Sequence, residues 1–146
     1  MVSSELPSSE SYKSSLTSSN ESVQLLIAKR SNMKAVYIHG FAGSIHSDTI
    51  TNFRKYYPEL EWCPLEVNHH ADESVKKIND FIDANSDVKY LIGSSLGGFY
   101  VLCANFAGRK IVINPVLNPM SSLKKAVGIN KYRGRRENGE TEFKLT

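Results

Sequence analysis

Gly93-Ser94-Ser95-Leu96-Gly97-Gly98, entered from the apolar Tyr90-Leu91-Ile92, reads as a strand, a sharp turn with a serine at its apex, and the start of a helix. Such a turn needs small residues on both sides of the serine, because it brings neighbouring backbone close together. Here those residues are Gly93 and Gly97, with Gly98 extending the allowance. Downstream, Leu96, Phe99, Tyr100, Leu102, Cys103 and Phe106 recur at helical spacing. Ser95 therefore heads a predicted helix, where peptide N–H groups and the macrodipole favour a developing oxyanion. A bare Gly-x-Ser-x-Gly arises by chance in roughly one chain of this length in twenty, so the reading rests on context. The competing reading is a glycine-rich strand-to-helix turn that binds nothing.

A second motif supplies that context. Met33-Lys34-Ala35-Val36-Tyr37-Ile38 is a compact β-type run ending in His39-Gly40-Phe41-Ala42-Gly43. A His-Gly loop after a central strand is where a nucleophile-elbow fold supplies its other oxyanion-binding backbone N–H. With Val112-Ile113-Asn114-Pro115 and Pro119 following, three blocks stand in order at compatible spacing. On these blocks the chain resembles an α/β-hydrolase, and from Met33 onward it is similar to the small bacterial YqiA-like esterases.

The resemblance implies that Ser95 is the nucleophile and that the backbone N–H groups of Phe41 and Leu96 are the oxyanion donors. His39, Gly40, Gly93, Gly97, Asn114 and Pro115 support the site, with Asn114-Pro115 closing a strand beside it. It also implies an acid and a histidine from later in the chain, yet no Asp and no His follows Ser95. The chain thus reads as the first part of the family's domain, a truncated product with impaired activity.

Past Met33, strand and helix signals alternate, which predicts a partial α/β-hydrolase fold of about four parallel strands with flanking helices. Ser47 or Asp48 caps a helix that Pro58 stops, and Glu61–Leu65 is a strand near an edge because Pro64 cannot donate to a ladder. Asp72 caps a helix with Val75, Ile78, Phe81 and Ile82 on one face. Val88–Ile92 and Lys110–Ile113 are short and apolar, as central parallel strands are. Right-handed crossovers set the first and third strands side by side, with Phe41 and Ser95 at one carboxyl edge. Beyond the fourth strand no closing strand is expected.

The 146 residues divide at about position 32. Residues 1–32 are Ser-rich with little that can pack, a predicted disordered extension, and Met33 reads as the functional start of the domain at 33–146. The opening fits neither a secretory signal nor a transit peptide, and no apolar run is long enough to span a bilayer. A net charge of +3 is mild. Cys63 and Cys103 have no metal-type or redox-type spacing and read as buried free thiols in a reducing, cytoplasmic compartment.

Four histidines, His39, His46, His69 and His70, all precede Ser95. His39 reads as a holder of its loop before it reads as a base, and His46 as a solvated loop residue overhanging the site. His69-His70 with Glu66 and Asp72 lacks a correctly spaced third ligand, so no metal and no cofactor is expected. Lys124, Lys125, Lys131, Arg133, Arg135 and Arg136 read as a solvated, flexible basic face; nucleic acid is not the expected partner. Asn130, Tyr132 and Gly134 fall where the family that the chain resembles has a polar loop after the Asn-Pro segment, and the resemblance implies the start of a substrate-side loop there.

These readings converge on a serine esterase that cleaves a small carboxylic ester or thioester through an acyl-enzyme on Ser95. The alternative is a non-catalytic α/β-hydrolase-like interaction module. In either case an unpaired sheet edge offers a route to self-association.

Overall fold

The computed structural model describes residues 22–23 and 33–146. The expected disordered extension over 1–32 lies outside the described residues apart from 22–23.

Four parallel strands form the central sheet: β1 (Lys34–Ile38), β2 (Glu61–Leu65), β3 (Val88–Ser94) and β4 (Arg109–Ile113), in the order β2-β1-β3-β4. The first and third strands are neighbours, as expected, with Ile38 opposite Gly93. Connecting them are helices α1 (Asp48–Tyr56), α2 (Ala71–Ala84) and α3 (Leu96–Cys103). The chain is thus a partial α/β fold.

Local chemistry sets the boundaries. Ser47 is the N-cap of α1, its Oγ accepting from the Ile50 N–H at 3.3 Å, and the helix ends before Pro58. For α2 the N-cap is His70, which makes no side-chain cap bond, and Asp72 lies inside the first turn. This corrects the expectation of an Asp72 cap. A carboxylate in the first turn still opposes the helix dipole favourably, so Asp72 serves the same end from a different position.

Strand alternation sorts the core into two layers. Val36, Ile38 and Leu91 face α2 and α3, packing with Ile78, Leu96, Tyr100 and Val101. Tyr37 and Ile92 point to the opposite face, where Ile50 and Phe53 of α1 and Trp62 cover them. The register sets Ile111 of β4 beside Ile92, on that second face. Helix α1 does not reach it, and Ile111 and Ile113 are each 39% exposed. An apolar groove of about 670 Å³ remains there, walled by Phe53, Trp62, Tyr90, Ile92, Ile111 and Ile113. Among the described residues β4 is therefore an edge strand, not the central strand its apolar run suggested.

After β4 come a short helix α4 (Pro119–Ser122), a 3-10 turn at Lys124–Ala126, and strands β5 (Gly128–Lys131) and β6 (Glu142–Leu145). The last two pair antiparallel as a separate sheet. Among the described residues neither joins the central sheet, which no strand closes beyond β4, though a short separate pair was not expected there. Four-residue strands such as β5 and β6 leave too little alternation to read. Cys63 is half-buried but Cys103, in the last turn of α3, is exposed, which corrects the expectation of two buried thiols.

Candidate active site

Ser95 joins β3 to α3 with φ 54° and ψ −121°. A side chain in that region costs about 1–3 kcal/mol and persists only where neighbours over-determine it. Here the Ser95 N–H donates to the Ile113 carbonyl at 3.0 Å, and the Ser95 carbonyl accepts from Gly98 and Val116, each at 3.0 Å. Gly93 and Gly97 make the turn sterically feasible. A Cβ on Gly97 would collide with the Ile38 and His39 carbonyl oxygens, and one on Gly93 with the Gly97 carbonyl. The helix start is thus seated directly on the end of β1.

That seating brings the His-Gly loop to the serine. A Cβ on Gly40 would lie 3.3 Å from the Ser95 Cβ, close enough that a side chain there would press the two segments a few tenths of an ångström apart. Gly40 to Gly43 form a turn closed by a 3.1 Å hydrogen bond, with Ala42 at φ 59°. Asn114, also left-handed at φ 44°, turns the chain out of β4 so that Pro115 packs over Gly98. Each residue expected to support the site thus borders the elbow or the loop beside it.

His39 is buried and fully committed. Its Nδ1–H donates to the Gly40 carbonyl at 2.8 Å, while Nε2 accepts from the Val67 N–H at 3.0 Å. Burial above all, with the nearby Arg136 and Lys77 charges, brings its pKa down from 6.5 to about 4. A neutral imidazole with both nitrogens engaged fixes the loop and leaves no lone pair for Ser95.

Ser95 opens on a cleft of about 270 Å³ shared with His39, Gly40, Phe41, His46 and Arg133. Leu96 borders a separate cavity of about 10 Å³, the lower limit for one water. Phe41 lines both spaces, and among the described residues neither the Phe41 nor the Leu96 N–H has a hydrogen-bond acceptor. His69 lines the small cavity too, with Nδ1 buried and unpartnered. It stacks on Phe143, which also packs edge-on against Phe41 at 5.3 Å.

Sequence reasoning missed several groups here. The Tyr37 hydroxyl hydrogen-bonds Ser94 Oγ at 2.7 Å across the face of the sheet, next to the nucleophile candidate. Arg136, expected in a solvated basic face, is 6% exposed. Its Nη1 donates to the Gly43 carbonyl, its guanidinium lies 4.2 Å from the Tyr132 ring centre, and Nε faces Glu66 Oε1 at 3.6 Å. That last distance makes an ion pair without a hydrogen bond, and Nε has no other partner. The Glu66 carboxylate instead accepts from the Glu137 N–H at 3.0 and 3.1 Å. Glu66 is buried after β2 and demands a cation, but only the fold shows that burial.

Tyr132 and Gly134 do reach the site: Gly134 packs on Ser44, and Tyr132 borders the small cavity. Among the described residues no cluster of His, Cys, Asp and Glu is arranged to hold a metal ion, and no helix is long and apolar enough to cross a membrane.

No curated protein and no solved structure matches the chain. A family model does, over residues 34–144, from the first residue of β1 into β6. The matched span holds the elbow, the His-Gly loop and the Asn-Pro turn, the three blocks on which the resemblance rests. The chain belongs to Uncharacterised protein family (UPF0227), the YqiA-like, esterase-related family that its motifs resemble.

Proposed function

We propose that the chain is a serine esterase acting on a small carboxylic ester or thioester through an acyl-enzyme on Ser95. One observation carries the reading: a non-glycine residue at φ 54°, ψ −121° heads α3 and opens on a cleft beside the loop after β1. Backbone strain of this kind is kept where it presents a group for chemistry.

In the proposed reaction Ser95 Oγ bonds to the carbonyl carbon while the carbonyl oxygen takes up the negative charge, met by the Phe41 and Leu96 N–H groups. The alcohol or thiol departs with the serine's proton. Water then adds to the acyl group, releasing the acid and restoring Ser95. His39 cannot accept the proton while both its nitrogens are engaged. With no general base bonded to the serine among the described residues, the expected rate is the residual of about 10³ to 10⁴ over water that oxyanion donors and binding leave. The unpaired Cys63 and Cys103 support a reducing compartment, the cytoplasm.

A fluorophosphonate probe tests the reading. An adduct located at Ser95 by mass spectrometry, and absent from Ser95→Ala, supports it. A folded chain that takes no label overturns it.

The open edge of β4 and the apolar groove favour a second reading, an interaction module whose partner is a second copy of the chain. Such a module is indifferent to Ser95→Ala.

A further inference from the structure

The cleft beside Ser95 has a mixed lining, with polar side chains beside Phe41 and glycine backbone. The residues that line it include Tyr37, Ser47, Thr49, Ser94, His46 and Arg133, with no Asp or Glu among them. The large apolar groove on the sheet face does not include Ser95, and the cleft that does holds about 270 Å³, room for a short chain.

Arg133 and Arg136 come from one segment and have opposite circumstances. Arg136 is buried and held by Glu66, Gly43 and Tyr132. Arg133 is exposed, and among the described residues its guanidinium has neither an ion pair nor a hydrogen bond. Its backbone, however, is fixed: the Arg133 N–H donates to the Ala42 carbonyl at 2.7 Å, in the turn that carries Phe41. A residue that lines the nucleophile's cleft thus carries a cation without a partner, and its backbone is tied to the loop that holds a proposed oxyanion donor. A guanidinium's planar fork matches the paired oxygens of a carboxylate or phosphate.

We infer that the cleft takes a short ester or thioester bearing an anionic oxygen group, carboxylate or phosphate, and that Arg133 is the residue that selects it. This rests on the esterase reading and adds the substrate class. The scissile carbonyl sits at Ser95 and the anionic end at Arg133, with the hydroxyls of the cleft wall hydrogen-bonding the short chain between them. Because Arg133 is solvent-facing, its attraction weakens with added salt.

Two measurements on the full chain test the inference. In the first, kcat/KM is compared for mono-4-nitrophenyl succinate and 4-nitrophenyl acetate in wild type and Arg133→Gln. Wild type should favour the anionic ester, and the anionic-to-neutral ratio should fall about fivefold or more in the variant, chiefly through KM, as expected for a half-screened charged hydrogen bond. A ratio that Arg133→Gln leaves unchanged overturns the inference while the esterase reading stands.

The second measurement needs no turnover. Succinate, inorganic phosphate and neutral succinamide are titrated into the chain by NMR, following amide signals of the loop after β1. Succinate or phosphate binding that Arg133→Gln removes and Arg133→Lys partly restores supports the inference, and the stronger ligand names the anion. Binding of neither anion, or equal binding of succinamide, overturns it. If neither ester is cleaved, the esterase reading fails and this titration alone decides whether the cleft is an anion site.

Discussion

Arg136 Nη1 donates to the carbonyl oxygen of Gly43 at 2.9 Å, tying the loop between β5 and β6 to the turn that follows β1. Its guanidinium also faces Glu66, and both residues are only 6% exposed. Removing one member of such a pair leaves the other charge buried. Arg136→Met should therefore cost about 3 to 5 kcal/mol of stability, read by urea unfolding. The double variant Glu66→Leu, Arg136→Met removes both charges and should recover most of that loss. A double variant as unstable as the single one would show that the ion pair is not the cause.

The elbow's glycines are constrained by backbone, and backbone cannot swing aside. Gly97→Ala drives a methyl into the Ile38 and His39 carbonyls and should cost about 3 kcal/mol or more, up to loss of folding. Gly139 is the control, since it has φ 76° but open space around it. Gly139→Ala should cost only the left-handed penalty, about 1 kcal/mol. Equal melting-temperature losses for the two variants would contradict the packing derived for the start of α3.

Protonation of His39 sets an acid limit on the fold. Its pKa is about 4 when folded and 6.5 ordinarily, so between those values the unfolded chain binds the extra proton. Stability from this group is fully present above pH 6.5 and is lost progressively as pH falls toward 4, by roughly 3 kcal/mol in all. Below pH 4 both states are protonated and the loss levels off. The difference in unfolding free energy between wild type and His39→Gln, measured from pH 7.5 to 4, isolates this contribution from that of the carboxylates. A difference that stays flat across the window would remove His39 as its source.

What could be read from sequence was what local sterics and chemistry dictate. Gly93 and Gly97 announced the strained turn because only residues without a Cβ fit around it. Ser47 and Pro58 bounded α1, and Pro64 marked an edge. What escaped depends on partners distant in the chain. Arg136 meets His39 across 97 residues and Gly43 across 93, and nothing in the run Arg133-Gly134-Arg135-Arg136 separates the buried arginine from the exposed ones. The place of β4 at the edge was equally hidden. Its Ile111-Val112-Ile113 suits a central strand, and only the whole sheet reveals that one side of it is open.

That open side leads to the last prediction. Ile111 and Ile113 face the apolar groove at the edge, and among the described residues β4 has no strand on its outer side. Arg109 and Lys110 charge the start of this edge, but Ile111-Val112-Ile113 carries none, and an uncharged apolar edge is a template for another strand. Sedimentation velocity should show the chain associating as its concentration rises, through antiparallel pairing of β4 with β4 of a second copy. Ile111→Lys places a charge in the middle of that strand and should hold the chain monomeric. Its cost in stability should stay within about 1 kcal/mol, because Ile111 is already partly exposed. A wild-type chain that remains monomeric at high concentration would show that the edge is protected. A lysine variant that still associates would move the interface elsewhere.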